Sequence, residues 1–373
     1  MMEAMGQPRR RMWGLLLLIV VAPAAFYGLQ AGFHGNPPRA LPLATTVPIT
    51  TPTAEPRGPT PAVTLAPPIP TPRELDAMAF DAVDNDVVMY GGTGSANASS
   101  GSSRETWTFD ATGWHLRHPV ASPDVNAGWM TEDPVTGNIV LVGVVPTTGQ
   151  PIGTWTWDGA TWTKHGDLPI SAQSIVGMAA LPALRQLVLV TALSSGQSPA
   201  DNTWTWEGSS WRLDAPVMAL PVEGSTPILA SDPADRRVVA VFTGDANSRS
   251  ETWAWNGSTW SQLAANEVAP FDPVTATMAA DPRTGDVVIY YGGGDARAGS
   301  TWTLRGATWR EVDAVSPVVD TDFGGSWLLT DSSINRVITI GNAGRPDTLN
   351  VLWVFTGTTW TAERPSILGV PTA

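Results

Sequence analysis

The sequence predicts an all-β, six-bladed β-propeller built from four-stranded antiparallel blades. Three observations carry that prediction. A nine-residue motif returns six times at an almost constant step; each copy sits among four short β-prone runs divided by turn residues; and each copy is apolar on both sides. The best copies are TWTWDGATW (Thr154–Trp162), TWTWEGSSW (Thr203–Trp211) and TWAWNGSTW (Thr252–Trp260). Looser ones begin at Thr106, Thr301 and Leu352. The leading tryptophans fall at 107, 155, 204, 253, 302 and 353, in steps of 48, 49, 49, 49 and 51 residues. A step of that size marks a repeat architecture. A four-stranded unit that is apolar on both faces buries them only against its neighbours, so no copy folds alone.

The chain has 373 residues, no cysteine and a formal net charge of −13. Without cysteine there are no disulfides, no thiolate nucleophile and no Cys-ligated metal. The first 72 residues hold five basic and two acidic side chains, leaving 16 basic and 32 acidic for the rest, a formal −16. Such a domain is a poor partner for nucleic acid or anionic lipid.

The expected order begins with a basic segment at residues 1–11, in which Arg9, Arg10 and Arg11 precede an uncharged run from Met12 to Phe33. At 1.5 Å per residue the run reaches about 33 Å, enough to cross a bilayer core. The arginines place the N-terminus in the cytoplasm and the repeats outside it. A cleaved signal peptide, with its apolar region at Trp13–Val21 and a small-residue site at Ala22-Pro23-Ala24, is the competing interpretation. Residues 34–72 follow as a stalk; from Asn36 to Pro72 there are 12 prolines and eight threonines, a composition that cannot bury a core and extends at about 3 Å per residue. The propeller is assigned to 73–364, with blades near 74–119, 127–168, 174–216, 226–265, 275–314 and 325–363, and a tail at 365–373.

Within the second blade, Met130–Glu132 leads into the turn Asp133-Pro134-Val135-Thr136-Gly137, and Ile139–Gly143 follows. Asp and Pro start such a turn and Gly supplies a positive φ. Asp158-Gly159 suits a two-residue type I′ loop, which sets Trp157 against Ala160 and Trp155 against Trp162. All three indoles then share one face. Fifteen of the 18 tryptophans belong to the motif. A residue needed at the same place in every blade packs the blade. The expected core therefore holds Trp107, Trp114, Trp155, Trp162, Trp204, Trp211, Trp253, Trp260, Trp302, Trp309, Trp353 and Trp360. Each buries up to ~250 Å², about 6 kcal/mol gross at ~25 cal/mol/Å².

An aromatic, an Asp-Gly-type turn and a second Trp, after a strand ending in Gly-Gly, resemble the kelch repeat. VVMYGG (Val87–Gly92) and VVIYYGG (Val287–Gly293) carry the Gly-Gly element; the other four copies lack it. The resemblance covers the whole repeat region and implies the propeller fold. It says little about function, because one fold serves many tasks.

If the strands run A to D in order, A–B and C–D turns share one rim and B–C and D–A loops share the other. The B–C loops are the long ones, and long loops on a rigid scaffold carry function. They hold Arg104, Arg249, Arg297 and Arg345, with Asp245, Asp295 and Asp347, a mixed-charge mouth suited to an anionic or polyhydroxylated ligand. Trp129 and Trp327 lie outside the motif, at the starts of A strands, and complete the candidate binding face. No catalytic or metal residues are assigned. There is no HExxH, Walker loop, Gly-x-Ser-x-Gly or EF-hand sequence, and only four histidines. The copper oxidases of this architecture need a Tyr–Cys crosslink, excluded by the lack of cysteine. Sialidase Asp-boxes need one more residue between Asp and Gly than Asp158-Gly159 provides. The expectation is a cofactor-free, non-catalytic module, anchored through its N-terminal helix, that binds a protein or glycan at the cell envelope. A carbohydrate-binding or sialidase-like carbohydrate-active propeller is the alternative.

Overall fold

The computed structural model describes residues 69–70, 73–94, 103–144, 151–171, 175–191, 202–214, 227–242, 250–264, 276–293, 297–312, 327–340 and 351–363. The expected N-terminal span at 12–33, nearly all of the stalk and the tail lie outside them.

Six antiparallel sheets follow one another along the chain. Blade 1 is β1 (Arg73–Asp81), β2 (Asp86–Gly94), β3 (Thr106–Asp110) and β4 (Gly113–Arg117). Blade 2 is β5 (Asn126–Glu132), β6 (Ile139–Val144), β7 (Pro151–Trp157) and β8 (Trp162–Lys164), and β9 (Leu168–Ser171) adds to it. Blade 3 is β10 (Ile175–Leu181), β11 (Gln186–Thr191), β12 (Asn202–Trp206) and β13 (Trp211–Leu213). Blade 4 is β14 (Ile228–Asp232), β15 (Arg237–Phe242), β16 (Glu251–Trp255) and β17 (Trp260–Gln262). Blade 5 is β18 (Ala276–Ala280), β19 (Val287–Gly293), β20 (Arg297–Arg305) and β21 (Thr308–Val312). Blade 6 is β22 (Leu329–Asp331), β23 (Arg336–Ile340), β24 (Leu352–Phe355) and β25 (Trp360–Glu363). In each sheet the four strands pair in sequence order, A-B-C-D. The all-β, six-bladed architecture is therefore the one the repeats predict.

The fifth strand of blade 2 was not anticipated. Strand β7 starts at Pro151 and outruns the three-residue β8, so β9 pairs with its free edge through Pro151–Ser171 and Ile152–Leu168. An uncovered edge leaves backbone groups unpaired, and β9 removes that exposure.

All six A–B turns share one backbone feature. The fifth residue of each takes the left-handed conformation: Asn85, Gly137, Arg185, Arg236, Gly285 and Asn335, with φ between 55° and 76°. The residue that opens the turn is aspartate in five of them, and each of these five is buried. Its carboxylate accepts backbone N–H groups within the turn, as Asp133 does from Val135 at 2.9 Å and Asp331 from Ser333 at 2.8 Å. Blade 3 has Leu181 there, and a short 3-10 turn at Pro182–Leu184 replaces the carboxylate's role.

The C–D turns correct the expected register. Trp157 lies opposite Trp162, and Trp155 opposite Lys164. The loop has four residues, closed by Asp158 N–H donating to the Thr161 carbonyl at 3.3 Å. The Asp158 carboxylate accepts from the N–H groups of Ala160 (3.0 Å) and Thr161 (2.7 Å). Asn256 does the same in blade 4 for Ser258 and Thr259. A side chain that caps its own turn favours this longer loop over the tighter type I′ one. The slip is two residues, so the indoles keep a common face.

Packing between blades follows one rule. In blades 2 to 6 the D-strand Trp donates its indole N–H to the first Thr of the preceding blade's motif: Trp162 to Thr106 (2.8 Å), Trp211 to Thr154 (2.9 Å), Trp260 to Thr203 (2.8 Å), Trp309 to Thr252 (2.9 Å) and Trp360 to Thr301 (3.0 Å). Of the twelve core tryptophans named from the sequence, nine are buried, and Trp211, Trp302 and Trp353 are half-buried. The ring closes without a shared strand. One apolar cluster joins Met78, Trp107 and Trp114 of blade 1 to Ile338, Leu352 and Val354 of blade 6.

Candidate functional site

The six A strands line a central cavity of about 470 Å³. Antiparallel pairing aligns them: Met78, Met130, Met178, Leu229 and Met278 face Met89, Leu141, Leu189, Ala240 and Ile289 on the B strands. With Leu328 they form an apolar belt around the cavity. One residue earlier stand Ala77, Trp129, Gly177, Ile228, Thr277 and Trp327. Side chains alternate along a strand, so this earlier position faces the next blade while the belt position faces the previous one. Each interface thus joins the two. Trp129 packs in one cluster with Met178, and Trp327 in another with Met78. Ile228 packs with Met278, and the Thr277 hydroxyl accepts the Leu328 N–H at 2.9 Å. The closeness shows at Gly177, where a methyl group would lie 2.8 Å from Leu229 Cδ1 and would push the end of that side chain aside.

Trp129 and Trp327 are half-buried and line the cavity towards the rim that carries the B–C and D–A loops. They belong to blades 2 and 6, on either side of blade 1. Indoles packed against thioethers make favourable, adaptable contacts. Both residues serve interface and channel at once, a dual role that their position outside the motif did not reveal.

At the opposite end, beside the A–B turns, the wall turns polar. Glu132, Ser231, Thr330 and Ser332 line it, with Pro134, Pro182 and Pro233. Burial, with Asp81 and Asp133 adding negative charge, pushes Glu132 up to about 7. Asp86, across the β1–β2 turn from Asp81, is also pushed up to about 7, mainly by burial and then by Asp81; Arg117, 3.8 Å away, opposes this. Sequence reasoning missed Glu132 because it stands where the other blades carry Phe80, Ala180, Ser231, Ala280 and Thr330, and nothing in its own motif marks it.

The expected binding face is described only in part. Arg104 is exposed, and its carbonyl accepts the Ser122 hydroxyl at 2.8 Å. Arg297 is the first residue of β20, because the β19–β20 ladder continues to Gly293–Arg297; the expected B–C loop of blade 5 shrinks accordingly. Arg249, Arg345, Asp245, Asp295 and Asp347 lie outside the described residues. Nearby, the D–A connection from blade 1 to blade 2 is pinned by Tyr90, whose hydroxyl donates to the Pro123 carbonyl at 2.5 Å, and by Lys164, 3.0 Å from Asp124 and stacked over Trp155.

Burial holds the phenols of Tyr90 and Tyr290 protonated, each pushed up to about 12. Each ring packs edge-on to a D-strand indole, Trp162 or Trp360, as core side chains do. His115 is engaged by Asp110 at 3.0 Å and by Thr112, and His165 stacks edge-on against Trp206. Among the described residues no group of three or more His, Asp or Glu side chains could hold a metal ion.

No protein-family model matches the chain, and no curated protein matches it. Its fold does have relatives among solved structures. The SapL1 lectin in complex with alpha methyl fucoside aligns with a TM-score of 0.51 at 14% identity, over 79% of this chain and 96% of that one. An arginine-to-alanine triple mutant of AofleA from Arthrobotrys oligospora aligns with a TM-score of 0.51 at 12% identity, over 80% of this chain and 91% of that one. At such identities the likeness shows the fold, a six-bladed β-propeller, and nothing further.

Proposed function

We propose that this chain is a non-catalytic binding or scaffold module, a kelch-like propeller held outside the cytoplasm by residues 12–33 on the stalk of residues 34–72. The observation that supports it best is the difference between the two rims. The A–B and C–D turns are six residues or fewer between paired strands, whereas the B–C connections of blades 1, 3 and 6 span Gly94–Thr106, Thr191–Asn202 and Ile340–Leu352. A rigid ring that carries its variable loops on one side offers that side for recognition. The face includes Arg104, Arg249, Arg297 and Arg345. The test is affinity capture with full-length protein from envelope extracts, repeated with Arg249 and Arg297 both changed to Ala. A specific envelope partner lost in the double variant supports the proposal; capture unchanged by the double variant removes the arginines from it.

Glycan recognition is the second reading. Trp129 and Trp327 present half-buried indole surface towards the loop-bearing rim, and an indole face is a common platform for a sugar ring. The SapL1 structure is that of a lectin with a bound fucoside. A glycan array with full-length protein, alongside fluorogenic glycoside assays, separates the readings. Binding without turnover favours the glycan, and turnover removes the non-catalytic assignment.

A further inference from the structure

We propose that the central channel is a binding site for a cationic amphiphile, an aliphatic amine whose chain lies along the methionine belt and whose ammonium group meets Glu132. Its charged end lies opposite the loop-bearing rim, while its apolar part shares the cavity with Trp129 and Trp327, the pair that supports the glycan reading.

The cavity has the right size and wall for a small apolar ligand. Its volume of about 470 Å³ falls within the ~300–1,000 Å³ range of small-molecule sites, which are mostly apolar with a few placed polar groups. The belt of Met78, Met130, Met178, Met278, Leu229 and Leu328 surrounds its waist. Methionine is unbranched and polarizable, and adapts its shape to a bound chain.

The charge at one end chooses the ligand. Glu132 lies two residues beyond Met130 on the same strand, about 7 Å at ~3.4 Å per residue. The two side chains share a face, so Glu132 continues the belt towards the A–B rim. Among the described residues, Glu132 has no hydrogen-bond or ion-pair partner. The nearest charges, Asp81 and Asp133, are acidic and repel it. Those two carboxylates are occupied: Asp81 accepts from the N–H groups of Val83 and Asp84, and Asp133 from Val135 N–H and the Thr136 hydroxyl. Of these three carboxylates, that of Glu132 receives no donor among the described residues. A cation there would replace repulsion by attraction in a partly desolvated setting, where such pairs are strong. A carboxylate headgroup would add to the repulsion, and a neutral one would leave the charge unanswered.

The experiment is isothermal titration of full-length protein with decylamine and decanoate below their micelle concentrations and decanol below its solubility limit. Decylamine is expected to bind saturably at one site, at least about tenfold tighter than decanol, with decanoate weakest. Glu132→Gln should erase the advantage of the amine while leaving decanol unchanged. Ala180→Phe should weaken binding of both, because Ala180 lines the channel at the level of Glu132 and a larger side chain there narrows it. Near-ultraviolet circular dichroism, dominated by the tryptophans, checks that each variant keeps its packing. If Ala180→Phe fails that check, Glu132→Gln carries the test by itself. No saturable binding, an amine preference that survives Glu132→Gln, or amine binding untouched by a folded Ala180→Phe would each overturn the proposal.

Discussion

The interface between blades 6 and 1 differs from the other five. At the five, a D-strand indole N–H reaches a buried threonine hydroxyl one blade back, at 2.8 to 3.0 Å. At the sixth, the threonine is replaced by Leu352, fully buried in the same apolar cluster as Trp114. The difference teaches which part of the interface is essential. Five interfaces form between blades that follow each other in the chain, where one polar contact per pair fixes blade against blade. The sixth must bring together elements more than 200 residues apart in sequence. One apolar cluster spans it, with Trp327 and Met78 at the inner end and Leu352 and Trp114 further out. Apolar burial is thus common to all six interfaces, and the indole-to-threonine hydrogen bond is added at five of them.

The largest expected effect is on burial. Trp260→Ala should cost about 3–5 kcal/mol in a denaturant titration, since the indole packs against Trp255 and fills the interface with blade 3. A cost near that of a surface substitution would mean that the indole is not core. Next comes the polar contact. Thr203→Val keeps the shape but leaves the Trp260 N–H buried without an acceptor, at about 1–3 kcal/mol. Leu352→Val, at the equivalent place in the seam, should cost only about 1 kcal/mol, the loss of one methylene. Equal costs for the two would erase the distinction drawn between the interfaces.

The smallest effect is a pH dependence centred on the interface of blades 1 and 2. Glu132 and Asp86 rise to about 7 from ordinary values of 4.5 and 3.8, and Asp81 also rises. The folded state thus binds more protons than the unfolded state between about pH 4 and pH 7. Stability should fall as pH rises through that window. Asp110, Asp124 and Asp158 shift downward, through hydrogen bonds and, for Asp110 and Asp124, cationic neighbours that outweigh burial; their contribution is lost only at pH values below the window. A denaturation midpoint higher at pH 5.5 than at pH 8, with the difference reduced in Glu132→Gln, is the expected result. A midpoint that rises with pH would show that these carboxylates are not held against acidic neighbours.

The repeating features were legible in the sequence because every blade restates them. The indole spacing, the Asp-initiated A–B turns and the six-fold count all follow from periodicity. What the sequence hid was specific to one blade or to one atom. The C–D register depended on whether the Asp158 side chain would cap its own turn, which composition alone does not decide. Strand β9 depended on the unequal lengths of β7 and β8. Glu132 escaped notice because its environment is made by Asp81 of another blade. The threonine acceptors were in plain view, at the head of each motif, but their partners lie 56 to 59 residues away. Only the stacking of blades brings them together.

The central claim is that the ring is closed, with blade 6 lying as near to blade 1 as any two neighbours lie, whatever the chemistry of the contact. Because the chain has no cysteine, spin labels can be placed in chosen pairs without background. Thr112 on the C–D turn of blade 1 and Ser333 on the A–B turn of blade 6 span the seam. Ser258 and Ala183 are the equivalent positions on blades 4 and 3, where Gly257 lies against Leu184. The two pairs should give the same interspin distance distribution. A seam distribution that is longer than the interior one would mean that the six blades form an open arc, and would contradict the account.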